Sequence, residues 1–249
     1  MKILIACEYS GQIWDSFASL PFEHDVISCD FLPTEQEGKH YQGDVRDILY
    51  SQKWDLMVAH PSCTHLATSG ARHFWRKEKE QKEALDFVRL LMNAPIPRWA
   101  IENPISVISS RIRPPDQIIQ PYEYGDSFQK STCLWLKNLP RLKPTKIVDK
   151  GEFYVSPSGK KLPAWYAKHG KGKGKERSMS FPGIAKAIGE QWGDESKLPE
   201  IVEQLGLFWD VRTIDTGVSR CTINYISSQP HEAFYFRHYC HPCLFQRNQ

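Results

Sequence analysis

The chain opens on a continuous apolar run, Lys2 to Cys7, bounded by Ser10-Gly11. From Gln12 to Leu20 the apolar residues fall at 13, 14, 17, 18 and 20, the spacing of a helix with one buried stripe. A second apolar run, His24 to Cys29, ends at Asp30, and a third covers Trp54 to Ala59. Lys77 to Asn93 carries apolar residues at 84, 85, 87, 88, 91 and 92 and is stopped by Pro95, which predicts an amphipathic helix. Arg98 to Ile101 is a fourth run. Buried strands alternating with helices predict an α/β fold whose parallel sheet is covered on both faces. Ligands in such folds sit at the carboxyl ends of the strands. Cys7 to Gly11, Asp30, Cys63 and Glu102 all fall at those ends.

The second half is less regular. Ser109 to Thr145 is rich in proline, lysine and arginine. Glu152 to Val155, the turn Ser156-Pro157-Ser158-Gly159, and Lys160 to Pro163 predict a hairpin or extended arm. Ser180 to Trp192 has apolar residues at 181, 184, 185, 187, 188 and 192, one more amphipathic helix, ended by Gly193. The character changes after Asp194, so residues 1–193 are expected to form one domain and 194–249 a tail.

Composition narrows the class. At 249 residues, 41% hydrophobic and 24% charged, the chain is expected to be globular. No apolar run approaches the ~20 residues of a membrane span. Met1-Lys2-Ile3-Leu4-Ile5-Ala6 lacks the long apolar region and cleavage site of a signal peptide, which points to the cytoplasm. Seven widely spaced cysteines argue against a disulfide framework. Cys7 and Cys29, at strand ends, read as small buried hydrophobes. A net charge of +3 permits an anionic partner without requiring one. Lys168 to Arg177 concentrates six basic residues and three glycines, either a solvated loop or one that closes over phosphates.

The chemistry lies in two segments. Asp55 to Cys63 runs from an apolar strand into Pro61-Ser62-Cys63, and Ile101-Glu102-Asn103-Pro104 ends a second strand in a carboxylate and an amide. Cys63 and Glu102 are 39 positions apart. A thiol nucleophile and a proton donor at neighbouring strand ends suit covalent attack on a pyrimidine ring. The plain alternatives are a core thiol and a surface carboxylate.

On these two elements the chain resembles the C5-cytosine methyltransferases, in particular short phage-type members, over roughly residues 1 to 193. The resemblance implies a Rossmann-like S-adenosylmethionine-dependent methyltransferase fold with a mixed, mostly parallel sheet and a small irregular substrate region within 110–176. It implies a Cys63 thiolate that adds to C6 of cytosine, and Glu102 as a carboxylic acid hydrogen-bonded at N3, with Asn103 holding the loop. Ser109-Ser110-Arg111-Ile112-Arg113 stands where the family has arginines that orient the base and brace the thiol; Gln129-Lys130-Ser131-Thr132 is a rival. S-adenosylmethionine is expected against the turn Glu8-Tyr9-Ser10-Gly11, where only Gly11 of the family's glycine motif survives. Pro61 completes that pocket. Asp30 is expected to take the ribose hydroxyls and Asp44 the adenine amino group, although Asp44 also reads as a turn carboxylate. Lys130, Lys171, Lys173, Lys175 and Arg177 are expected on the substrate, and Pro182-Gly183-Ile184-Ala185 resembles a closing motif of the cofactor pocket.

Only about 60 residues separate Arg113 from Arg177, little room to read several base pairs directly. DNA is the expected partner. The rivals are a free pyrimidine nucleotide, RNA or modified DNA as substrate, and a non-catalytic binding protein on the same fold. Retained Cys63 and Glu102 count against the last. In the tail, Cys240 and Cys243 form half of a zinc site, with His231 and Cys221 upstream, too little to assign a metal.

Overall fold

The computed structural model describes residues 1–157, 159–164 and 179–201, together with the backbones of 210–215, 220–229 and 232–234. Two compact units are present, Met1–Glu200 and Ile201–Gln249. In the second, strands Asp210–Asp215, Arg220–Gln229 and Glu232–Phe234 form an antiparallel sheet in that order.

The first unit is a mixed, mostly parallel Rossmann-like α/β fold. Its strands are β1 (Lys2–Ala6), β2 (Asp25–Asp30), β3 (His40–Gln42), β4 (Leu56–Ala59), β5 (Arg98–Pro104), β6 (Gln117–Ile119) and β7 (Thr132–Lys137), in the order β3-β2-β1-β4-β5-β7-β6. β7 runs antiparallel to both neighbours, and the other pairs are parallel. The helices are α1 (Gln12–Ala18), α2 (Val45–Ile48), α3 (Glu78–Met92), α4 (Ile108–Arg111) and α5 (Pro182–Trp192).

The apolar runs are continuous because both sheet faces are covered. Ile3 and Ile5 of β1 pack with Ile13 and Phe17 of α1 and with Ile184 and Ile188 of α5. Leu4 and Ala6, one residue out of phase, pack on the other face with Leu85, Val88 and Leu91 of α3. The strand order reverses between β1 and β4, both paired to each other and to outward-stepping neighbours. Such a switch point opens a crevice at the carboxyl edge.

Several expected boundaries move. β1 stops at Ala6 because Cys7 turns into the left-handed region, φ +60°. β5 runs on to Pro104 because β7 pairs with it from Trp99↔Lys137 to Pro104↔Thr132. Glu102 and Asn103 therefore sit inside a strand, not beyond it. The expected arm is a hairpin of Phe153–Val155 and Lys161–Pro163. The first unit also continues to Glu200, past the expected limit at 193. Buried Arg98 donates to the Pro199 carbonyl at 3.0 Å and pairs with Glu195 at 3.6 Å, and Leu198 lies in the core.

Gly189 lets α5 approach α1: a Cβ there would stand 2.2 Å from the Ser16 carbonyl oxygen. That oxygen is backbone and cannot swing away. Gly189→Ala should therefore destabilise the first unit by about 1–3 kcal/mol, the cost of forced overpacking. Urea unfolding of the variant against wild type measures it; equal midpoints would refute the close approach.

Candidate active site

The turn after β1 is built around a carboxylate. Glu8, Tyr9 and Ser10 are buried, and the Glu8 amide donates to the Cys29 carbonyl at 3.0 Å, tying the turn to the end of β2. Glu8 Oε1 accepts the Ser10 hydroxyl and, at 3.1 Å, the Gln12 amide that opens α1. Glu8 Oε2 and Gln12 Oε1 are buried with no hydrogen-bond partner. Gly11, φ +73°, completes the turn. At the end of β2, Asp30 Oδ1 accepts the Leu32 amide at 2.9 Å, and Phe31 beside it is 70% exposed.

The ends of β4 and β5 are laced together. Asn103 Nδ2, deep in the sheet edge, donates to the Pro61 carbonyl at 2.8 Å. The Cys63 carbonyl accepts the amides of Leu66 and Ala67, which folds the Pro61–Ala67 segment into a turn. Thr68 donates to the Ile105 carbonyl through both its amide and its hydroxyl, and the Val107 amide donates to Leu66. The loop that carries Cys63 is thus held from both sides by the chain that follows Glu102. Cys63 is partly exposed there. By contrast, burial and neighbouring carboxylates push the Cys7 thiol up, push Cys29 up to about 12, and burial with Glu102 pushes Cys133 up to about 11.

Glu102 is balanced between burial and two cationic neighbours. Burial favours its neutral form. His60 Nδ1, 3.3 Å from Oε2, and the charges of His60 and Lys130 outweigh burial and hold the carboxyl below its ordinary value. Lys130, just before β7, also lies 5.4 Å over the Phe181 ring that precedes α5. Opposite charges within a few ångströms outweigh burial where desolvation is incomplete, and the Glu102 side chain keeps 21% of its exposure.

The structure thus brings Pro61, Cys63, Glu102, Asn103 and Lys130 to one stretch of sheet edge, with Glu8 to Gly11 and Asp30 along the same edge. Other expectations fail. Arg113 does not brace a thiol: it donates to the Leu136 carbonyl at 3.0 Å, pairs with Asp116 at 2.8 Å and lies over Trp99. Leu136 is paired with Ala100, so the guanidinium serves the amino-terminal half of β5, behind Glu102. Arg111 is exposed at the end of α4, where its carbonyl accepts from Arg89 at 3.2 Å. Asp44 caps α2, accepting the Arg46 amide at 2.9 Å and its guanidinium at 3.3 Å; the turn-carboxylate reading describes it. Lys171, Lys173, Lys175, Arg177, Cys240 and Cys243 lie outside the described residues. His60 was not anticipated, although a histidine directly between a buried strand and Pro61 was visible. A hollow of about 360 Å³ between Ser127–Gln129 and Asp149–Glu152 touches neither Cys63 nor Glu102. We place the chemistry at the sheet edge, because buried unpartnered polar atoms collect there.

No family model and no curated protein matches the chain. Among solved structures it is similar to the Entamoeba histolytica methyltransferase EhMeth, at 16% identity and a TM-score of 0.43, over 59% of this chain and 57% of that one. The chain spans a little over half the length of that protein.

Two outcomes follow from the site. Asn103→Ala removes a buried hydrogen bond and orphans the Pro61 carbonyl, which should cost about 1–3 kcal/mol. Amide exchange in 61–68 should rise more than in β1; unchanged protection there would show that Asn103 does not hold the loop. The second concerns acid. Glu102 binds its proton more weakly in the folded than in the unfolded chain, whose ordinary value is 4.5. Its contribution is then fully present above that value and lost as pH falls through the lower folded value. The unfolding free energy of wild type relative to Glu102→Gln should shrink as pH falls below about 4.5. A difference that grows with acid would reverse the sign.

Proposed function

We propose that the protein is an S-adenosylmethionine-dependent methyltransferase that modifies C5 of cytosine in DNA through a covalent adduct between Cys63 and C6. The observation that carries this reading is the Asn103–Pro61 hydrogen bond, which fixes a partly exposed cysteine loop to the strand that bears Glu102. Neither a core thiol nor a surface carboxylate needs that arrangement.

The switch-point turn fits the methyl donor and not a dinucleotide. A helix N-terminus ordinarily welcomes phosphate. Here Glu8 places its own carboxylate at the start of α1, with one oxygen buried and unpartnered, so a phosphate would be repelled and a sulfonium or ammonium attracted. Asp30 would take ribose hydroxyls, and the exposed ring of Phe31 offers an apolar face to a base. When bound, the donor supplies an electrophilic methyl for an activated C5.

The protein's own groups supply the activation. Cys63 adds to C6 as thiolate. Glu102 faces the ring nitrogen, where charge builds as sulfur adds, and Lys130 keeps the local field positive. Proline-flanked backbone at 61 and the zipped turn at 63–67 limit the loop to one orientation. The small span between Arg113 and Arg177 supports relaxed sequence preference, with binding mainly to phosphate.

DNA containing 5-fluorocytosine, incubated with S-adenosylmethionine, should trap a covalent complex that Cys63→Ser abolishes. Equal adduct yield from the serine variant would remove Cys63 from the mechanism. Separately, Asp30→Ala should weaken calorimetric binding of the donor by about 1–3 kcal/mol, the worth of charge-assisted hydrogen bonds. No detectable binding to wild type would favour a non-catalytic protein on this fold.

A further inference from the structure

His60 is held more tightly than a residue next to a loop requires. Its amide donates to the Ala6 carbonyl at 2.9 Å, extending the β1–β4 pairing one step beyond the strand. The side chain is 10% exposed. Nδ1 lies 3.3 Å from Glu102 Oε2, and Nε2 is buried with no hydrogen-bond partner. A histidine kept only for packing has no reason to bury an unpaired ring nitrogen.

Glu102 presents the complementary difficulty. Activation of the ring ends with a proton on N3, yet Glu102 is held ionised. A carboxylate accepts hydrogen bonds and has no proton to give. We infer that His60 stores the proton that Glu102 delivers to N3, the two forming a relay along the Nδ1–Oε2 contact; this rests on the cytosine reading above. Before addition the site holds thiolate, imidazolium, carboxylate and a neutral ring. The Sγ–C6 bond forms as the C5=C6 pair moves to C4=C5 and the C4=N3 pair moves onto N3. The Nδ1 proton passes to Oε2, and Oε2 hands it on to N3. The products are a neutral imidazole, the carboxylate again, and a neutral adduct protonated at N3. No other reactant is needed, and reversal returns the proton.

Lys130 and Cys133 sense the Glu102 charge, and other titratable groups stand on the neighbouring strand ends. Cys7 and Glu8 stand at the end of β1, Cys63 and His65 on the loop after β4, Cys133 on β7 and Lys130 just before it. Burial keeps Cys7 and Cys133 protonated through neutrality. His65 is the other imidazole in this group and serves as the control.

The test is release of tritium from [5-³H]cytosine in DNA without methyl donor. The activated C5 takes a proton from solvent, and reversal exchanges its hydrogen. Wild-type release should fall on the alkaline side, once the relay has lost the imidazole proton. In His60→Asn the amide nitrogen stands near the Nδ1 position and still donates to Glu102, but carries no mobile proton. That variant should exchange about 10²-fold more slowly on the acid side of the wild-type limb and should lose the falling limb. His65→Asn should keep it. His60→Asn within twofold of wild type, with the same profile, overturns the inference and leaves the cytosine reading standing. A wild-type profile without a falling limb overturns it with no variant at all. Absence of release from wild type at every pH overturns the cytosine reading and the relay together.

Discussion

A sheet buried on both faces leaves polar side chains only one exit, the strand ends. In β1, Ile3 and Ile5 are sealed by α1 and α5, and Leu4 and Ala6 by the layer of α3. A charge anywhere within those runs would lose its hydration without a partner. Glu8, His60 and Glu102 therefore appear just where the apolar run of β1, β4 or β5 gives out. The same constraint makes them chemically capable. They stand at the boundary of the low-dielectric interior, where each partner shifts a titration more than it would in water. Glu102 shows the balance: burial alone would neutralise it, and His60 with Lys130 reverses the outcome.

β7 turns this general edge into a particular site. Its antiparallel pairing extends β5 to Pro104, which brings Glu102 and Asn103 under the register of the sheet. A side chain on a paired strand has a fixed direction, and one on a free loop does not. Asn103 passes that order to Pro61 through one buried hydrogen bond, so the cysteine loop inherits its position from the core. Lys130 reaches Glu102 because it immediately precedes the same strand.

The elements legible in the sequence were those fixed by burial. β1 and β4 are apolar runs, β2 and the first half of β5 are mostly apolar between polar ends, and α3 and α5 show helical spacing. What escaped was fixed by distant partners. β7 is as apolar as β1, yet it lies among the prolines 114, 115, 121 and 140 and gains meaning only by pairing with β5 about 30 positions earlier. β3 is three polar or aromatic residues at an edge, too short for any period. Cys63, Glu102 and Asn103 were readable as a constellation because strand ends concentrate chemistry. Arg113 was misread because a nearby basic motif says nothing about direction: its guanidinium follows Asp116 and the β7 backbone toward the other end of the strand. Asp44 followed the stronger local rule, since an aspartate just before a helix accepts the free amides of the first turn.

The turn after β1 carries a charge where a glycine-rich turn would carry none. Glycines at a switch point bring backbone amides close to an anion, which suits pyrophosphate. In this chain the backbone turns through the left-handed region at Cys7 and Gly11. The amide of Gln12 that would face the anion is already taken by Glu8. A carboxylate in that position selects against phosphate by repulsion and in favour of a cationic group by attraction, and both effects are strengthened by its burial. By sign alone, that position favours a cationic ligand over an anionic one. The same sign extends along the edge to Asp30, whose carboxylate accepts hydroxyl donors, while positive charge is concentrated a few strands away at Lys130. Carboxylates thus stand at the ends of β1 and β2, and beside β5 and β7 a cation offsets the acid of Glu102. On the proposed reading, a cationic donor belongs at the first pair of strand ends and an electron-accepting ring at the second.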